Sequence, residues 1–257
     1  MAFGSESKFG FGSGDSFFST LQDAPFRQAD KFFRAKIDDL NGSGVEGEVL
    51  AFFDDDTDKL TLIVTADGLE ENQVHLMHVH GFTDGRDARI PDLRDDTDKD
   101  GYIELLEGVP DYGGILLNVK LNHADGSGGD NGHSHEGDFA GFPLAPDGEI
   151  RFMETFQLPA DMLNAQANLQ NYHFVIHGMS TPASDGVGTG GEVNGTAGYK
   201  LVLPVAIGDF EQISRGEAFR EFAQAKGDAL REAIQDRADV FVSKLTSHLS
   251  SSFDSFF

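Results

Sequence analysis

The middle of the chain alternates between apolar and polar positions over short stretches, and glycine, aspartate and asparagine interrupt these stretches. A period of two is typical of strands that bury one face, and such clusters of small polar residues are typical of turns. Residues 149–154 alternate cleanly, and residues 60–65 mix alternation with β-branched side chains. Further candidate strands are residues 45–53, 74–82, 115–121, 172–177 and 199–206. The pattern predicts a mainly β domain over residues 43–210, built as an antiparallel sandwich or barrel.

Both ends of the chain show a helical period instead. Residues 1–42 begin as a Gly- and Phe-rich arm, and apolar residues from Phe26 to Leu40 then recur at spacings of three and four. From residue 211 to residue 257 a second pattern predicts a helix, with one apolar stripe made by Phe219, Phe222, Leu230 and Ile234. We expect helices that flank the β domain, either packed on it or used with the Phe-rich ends for homo-oligomeric assembly.

The net charge of the chain limits the classes of molecule that it can bind. Its 257 residues include 44 acidic and 19 basic side chains, which gives a net charge of −25. This argues against nucleic-acid binding, because neutralising phosphates requires Lys and Arg, and it favours cations. Cysteine is absent, which excludes disulfides, all-cysteine zinc sites and a thiol nucleophile. No apolar run is long enough to span a membrane.

Residues 96–107 match the twelve-residue EF-hand calcium loop, in which oxygens at fixed positions surround one ion. Gly101 occupies the position of the sharp turn. The predicted Ca²⁺ ligands are Asp96, Asp98, Asp100, the backbone carbonyl of Tyr102, Glu104 and Glu107. Pro91 and Pro110 flank the loop, so we expect a structural clip inside an insertion at about residues 83–114, the alternative being a solvated acidic loop.

Seven of the nine histidines form three groups. The groups are His75, His78 and His80; His133 and His135; and His173 and His177. Residues two apart on a strand share a face, so His78 and His80 can reach the same ion. Three groups in one β domain without cysteine favour imidazole coordination of copper or zinc, with ordinary core histidines as the alternative.

Three segments together resemble the copper–zinc superoxide dismutases and their relatives, the chordin-like (CHRD) domains. They are His78-Val79-His80-Gly81-Phe82, His135-Glu136-Gly137-Asp138, and Val175-Ile176-His177 with the Gly-rich stretch 186–195 and the segment 197–201 after it. The resemblance implies a Greek-key β-sandwich or barrel, copper ligands at His78, His80 and His177, and Lys200 in the place of the arginine that guides superoxide. It also implies a Zn²⁺ side at His135 and Asp138, with His133 as a further ligand. A bridging histidine has no matching motif, and His123 is the nearest candidate.

Two functions follow from this resemblance. One is a copper-dependent enzyme that dismutates superoxide to dioxygen and hydrogen peroxide; the alternative is a non-enzymatic CHRD-like extracellular module for adhesion or self-assembly. The C-terminal segment, which ends in Asp254-Ser255-Phe256-Phe257, resembles the uncleaved signal of bacterial type I secretion substrates. The N-terminal residues lack the features of a cleaved signal peptide. We therefore expect an extracellular protein that keeps both ends.

Overall fold

The computed structural model describes residues 23–121, 139–158, 162 and 166–253. Its eight strands form one antiparallel sheet with the order β5-β4-β7-β8-β1-β2-β3-β6. The strands are β1 (Lys31–Asp39), β2 (Glu46–Asp54), β3 (Lys59–Asp67), β4 (Leu76–Gly81), β5 (Gly114–Asn118), β6 (Ile150–Gln157), β7 (His173–Thr181) and β8 (Gly198–Ile213). The helices are α1 (Asp23–Gln28), α2 (Leu105–Tyr112) and α3 (Arg215–Phe253), with a 3-10 helix at Gln166–Asn171.

The sheet curls around a single main core. The 16-residue strand β8 pairs with β7 over residues 198–209 and with β1 over residues 206–213, and it thereby joins the two halves of the sheet. The connections β3–β4 and β5–β6 cross between the halves, which is a Greek-key arrangement. Side chains from both halves, such as Phe33, Leu62, Met77 and Phe174, meet in the interior. The predicted mainly β, antiparallel fold is confirmed, and each of the seven predicted segments holds a strand.

The helix predicted between Phe26 and Leu40 is wrong beyond Gln28. The residues from Lys31 to Asp39 form strand β1, which pairs with both β2 and β8. Phe33 and Ile37 are four apart, so they fit a helical face, but they are also an even number of residues apart and fit one face of a strand. This segment pairs with β2 over residues 31–37 and with β8 at most positions from residue 32 to residue 39, and these partners on both sides favour the strand.

Helix α3 is present, but its buried face differs from the predicted stripe. Phe222 is buried together with Ala218, Ala229 and Ala233, and these residues pack on the outer side of β2 and β3. Phe219, Leu230 and Ile234 are exposed. Small side chains let the helix approach the sheet closely, so the alanine face packs and the bulkier face does not. No helix in the described residues is both long enough and apolar enough to cross a bilayer.

A second, smaller cluster lies on the outer face of β7 and β8. It consists of Leu40, Ile103, Tyr112, Val175 and Ile207. Ile103 and Tyr112 come from the segment between β4 and β5, so this segment folds over the outer face of the sheet. The covered face is the one that carries the histidines described next.

Candidate metal centre

Strands β4 and β7 bring three histidines to one place. His78 and His80 alternate with Met77 and Val79, which point into the main core, so both imidazoles lie on the outer face of β4. On the neighbouring strand His177 stands opposite Leu76. The pairing of β4 with β5 is irregular at Val79/His80, and the pairing of β7 with β8 is irregular on either side of His177. Such bulges redirect side chains and are frequent beside functional sites.

The three imidazoles are buried and close together. His78, His80 and His177 are 4%, 0% and 1% exposed. One nitrogen from each ring lies within 4.8 Å of the others. Metal–imidazole bonds of about 2.0–2.1 Å place two ligand nitrogens at most about 4.2 Å apart, so a contraction of less than about 1 Å brings all three onto one ion.

Backbone carbonyls orient two of the rings. His80 Nδ1 lies 3.0 Å from the carbonyl oxygen of Gly113, and His177 Nδ1 lies 2.7 Å from that of Val202. A neutral imidazole that donates from Nδ1 keeps its lone pair on Nε2, which is the arrangement found in histidines that bind metals. His80 Nε2, His177 Nε2 and His78 Nδ1 are buried and have no hydrogen-bond partner among the described residues.

Burial keeps these imidazoles neutral. It lowers the pKa of His80 to about 3 and that of His177 to about 4. It also holds the pKa of His78 well below its ordinary value, and repulsion from the two neighbouring rings adds to the effect. The neutral form is the one that donates a lone pair to a metal ion, so the site is prepared for a cation at neutral pH.

Two other histidines of the same strands have different surroundings. His75 is buried, and its ring nitrogens lie 3.1 Å from the carbonyl oxygens of His177 and Glu70. His173 stands opposite His80 in the β4–β7 register, and its Nε2 lies close to Asp209 Oδ1. Neither residue belongs to the group of three nitrogens.

Of the remaining residues implied by the resemblance, only Lys200 lies within the described part of the chain. Lys200 donates a hydrogen bond from Nζ to Thr196 Oγ1 at 2.8 Å. The zinc-side residues His123, His133, His135 and Asp138 lie outside the described residues. The Zn²⁺ side and the role of Lys200 therefore stay predictions.

The acidic loop gathers its carboxylates into two overlapping groups. Asp98 belongs to both: one group adds Asp96 and Glu107, the other adds Asp100 and Glu104, and the oxygens of each group lie within 4.8 Å of one another. Two oxygens bound to one Ca²⁺ at about 2.3–2.6 Å are at most about 5 Å apart. Asp98 Oδ1 and Asp100 Oδ2 are buried without a hydrogen-bond partner among the described residues.

The carboxylates of the loop are held in an unfavourable environment. Burial raises the pKa of Glu104 to about 7, although a hydrogen bond from the Val193 N–H at 2.6 Å opposes the shift. Burial and the neighbouring carboxylates also raise the pKa of Asp100. Such crowding of acidic groups is relieved when a cation binds between them.

The side-chain amide of Asn41 links the loop to the sheet. Asn41 Oδ1 accepts a hydrogen bond from the Ile103 N–H at 2.7 Å, and Asn41 Nδ2 donates to the carbonyl oxygens of Ile103 and Pro204 at 2.9 Å. Asn41 has a φ of 62° and follows β1. No pattern in the sequence pointed to this role of Asn41.

Two further residues around the centre carried no signal in the sequence. The Tyr112 ring lies edge-on against His80 with 4.7 Å between ring centroids, and Phe142 lies similarly against His78 at 5.5 Å. Both rings pack against the imidazoles and surround them with apolar surface. Because both are distant from the histidines along the chain, only the folded structure identifies them.

No family model and no curated protein sequence matches this chain. Solved structures of Candida albicans superoxide dismutase 5 do match it. The Cu(II) form aligns at 11% identity with a TM-score of 0.38, covering 72% of this chain and 93% of that chain. A single-residue mutant aligns at 10% identity with a TM-score of 0.39, covering 72% and 94%. A match this distant assigns no ligand and no activity to this chain.

Proposed function

We propose that this chain is a metal-binding protein of the superoxide dismutase type, in which His78, His80 and His177 hold one copper ion. The observation that carries the proposal is the meeting of three buried ring nitrogens, none of which has a hydrogen-bond partner among the described residues. Each unsatisfied buried polar atom destabilises a fold by about 1–3 kcal/mol. A bound ion accepts all three lone pairs at once and removes this penalty. Three imidazoles suit copper or zinc.

The proposed reaction is the dismutation of superoxide, in which two superoxide ions and two protons give one dioxygen and one hydrogen peroxide. Copper held by the imidazoles would supply the one-electron redox chemistry that this reaction requires. The carbonyls of Gly113 and Val202 keep two rings in the binding tautomer, and the apolar rings nearby exclude water. A protein of charge −25 repels an anion at long range; the cationic Lys200 is proposed to offset this locally.

We extend the proposal to calcium. The five carboxylates of the acidic loop, with the Tyr102 carbonyl, would hold one Ca²⁺. Asp98 Oδ1 and Asp100 Oδ2, which have no hydrogen-bond partner in the described part of the chain, support a cation there. Glu107→Gln should weaken calcium binding at least tenfold, because a bidentate carboxylate becomes a neutral amide. Leu106→Ala, an exposed neighbour on the same helix, is the matched control. Equal calcium affinity in the two variants would contradict the assignment.

The decisive experiment is metal analysis of the purified protein combined with a superoxide consumption assay. His177→Ala should abolish stoichiometric copper binding, while His173→Gln, on the same strand, should retain it. Lys200→Glu should reduce the dismutation rate more than the copper occupancy. If the wild type binds no copper in a 1:1 ratio, the copper site is refuted. If it binds copper without dismutating superoxide above the rate of free copper, the enzymatic function is refuted.

The second candidate function is the non-enzymatic extracellular module. The exposed apolar side chains of α3, among them Phe219, Ile234 and Phe241, favour assembly over isolated function. Secretion through the C-terminal segment belongs to both proposals. Deleting the last 40 or so residues should abolish export, and extracellular protein should retain its N-terminal residues. Unchanged export of the truncated chain would refute this route.

A further inference from the structure

We propose that calcium in the acidic loop sets the copper affinity of the imidazole centre, through helix α2, which joins the two sites. The inference rests on the proposed function, because it requires that both metals bind. It goes beyond that function in making the two sites thermodynamically dependent on each other. A loop that served only to stabilise the fold would leave the copper affinity unchanged.

The first end of α2 belongs to the acidic loop. Glu104 immediately precedes the helix, and Glu107 lies in its first turn. Glu107 Oε1 accepts hydrogen bonds from the N–H and the hydroxyl of Thr97, both at 2.6 Å, while Oε2 accepts one from the Glu104 N–H at 3.1 Å. Glu107 therefore connects the beginning of the loop to the beginning of the helix. Any change in the spacing of the carboxylates moves this end of α2.

The last residues of α2 belong to the imidazole centre. Tyr112 ends the helix, and its ring lies against His80. The next residue, Gly113, accepts the hydrogen bond from His80 Nδ1. Gly113 has a φ of 82°, and a Cβ at this position would lie 2.1 Å from the carbonyl oxygen of Gly81. The helix therefore ends in direct contact with β4, where small displacements change the orientation of His80.

The helix is short and its ring packing makes it stiff. Eight residues at 1.5 Å each span about 12 Å. The Tyr112 ring folds back over Gly108, where a Cβ would lie 2.2 Å from the ring, and Tyr112 Oη donates to the Leu105 carbonyl at 3.2 Å. The ring thus contacts the first turn, the middle of the helix and His80. A displacement at one end is transmitted to the other end rather than absorbed between them.

The direction of the effect follows from charge. Without a cation, repulsion among the carboxylates favours a wider loop, and the loop shifts or loosens the start of α2. With calcium bound, the loop closes and α2 holds the Gly113 carbonyl and the Tyr112 ring in place. The orientation of His80 is then fixed before copper arrives. Coupling between two sites typically changes an affinity by about 5- to 150-fold, and the change is reciprocal.

The test measures Cu²⁺ affinity by competition with a chelating dye, in protein freed of metals on a chelating resin, with and without millimolar calcium. We expect calcium to tighten copper binding at least fivefold. The reciprocal calorimetric titration should show calcium binding to the copper-loaded protein tightened by the same factor. Both readouts are binding constants and are independent of enzymatic activity.

Variants of Tyr112 separate coupling from binding. Tyr112→Leu should bring the coupling factor close to one while the copper-free protein still binds calcium, and Tyr112→Phe, which keeps the ring, should preserve most of the coupling. Equal copper affinity with and without calcium, in a protein that binds both metals, would overturn this inference and leave the proposed function intact. Absence of binding by either metal would overturn that part of the proposed function together with the coupling.

Discussion

The three buried imidazoles should make the metal-free protein less stable than a variant in which an apolar side chain replaces one of them. His78 is the best residue for testing this, because its Nδ1 has no partner among the described residues. Replacing it by leucine, which has a similar volume, removes the unsatisfied atom. Removing the unsatisfied atom stabilises the folded state by about 1–3 kcal/mol. Imperfect packing of the leucine side chain opposes this by up to about 1.5 kcal/mol. We expect His78→Leu to stabilise the metal-free protein by about 1 kcal/mol.

His75 provides the matched control on the same segment. It is equally buried, but both of its ring nitrogens face carbonyl oxygens, those of His177 and Glu70. A neutral imidazole has a single N–H, so it donates to one of them at a time. His75→Leu removes this hydrogen bond, which the buried ring makes to the backbone. We expect it to destabilise the protein by about 1–3 kcal/mol.

The assay is thermal and urea unfolding of the wild type and the two variants, first with a chelator and then with copper. In a domain of this size, 1 kcal/mol corresponds to about 2–4 °C in Tm. Copper at 100 times its Kd should stabilise the wild type by about 2.7 kcal/mol and His78→Leu not at all, so their order should reverse. If His78→Leu destabilises the chelated protein as much as His75→Leu does, the reasoning about the unpartnered nitrogen is refuted.

Three further predictions concern pH, packing and the loop. The metal-free protein should lose stability as the pH falls from about 6.5 towards 4, by up to about 1.4 kcal/mol per pH unit for each buried histidine. The reason is that these histidines bind protons in the unfolded chain, whereas His80 and His177 stay neutral in the folded protein. Free energies of unfolding from denaturant titrations that do not change between pH 7 and 5 would contradict this. Ala229→Leu should overpack the buried face of α3 and destabilise the protein by about 1–3 kcal/mol, whereas Ile234→Ala, at an exposed position, should change its stability by less than about 0.5 kcal/mol. Similar melting temperatures of the two variants would argue against the observed packing of α3. Asn41→Gly keeps the positive φ but removes the hydrogen bonds to the loop, so it should lower both the melting temperature and the calcium affinity. An unchanged calcium affinity would show that the loop does not depend on this amide.

The elements with a local period were predictable from the chain. Strands β2 to β8 each fall on a segment predicted as a strand from its short apolar stretch and the turn residues that bound it, and helix α3 falls on a helical pattern. Strand β1 was not predictable in this way, because Phe33 and Ile37 satisfy both periods. Its partners β2 and β8, the latter more than 150 residues away, determine its conformation. The buried face of α3 was likewise decided by how closely alanines can approach the sheet.

Part of the candidate metal centre was likewise predictable from the sequence, and part depends on the tertiary structure. The spacing of His78 and His80 places them on one face of a strand, and this follows from the alternation of side chains alone. That His177 joins them while His173 lies beside Asp209 depends on the register of β4 against β7 and on the bulges at His177. The support given by Tyr112, Gly113 and Asn41 arises when the segment between β4 and β5 folds over the sheet. The sequence by itself determined local periodicity and the types of ligand, whereas the tertiary structure decided register and packing, because these depend on contacts between residues far apart in the chain.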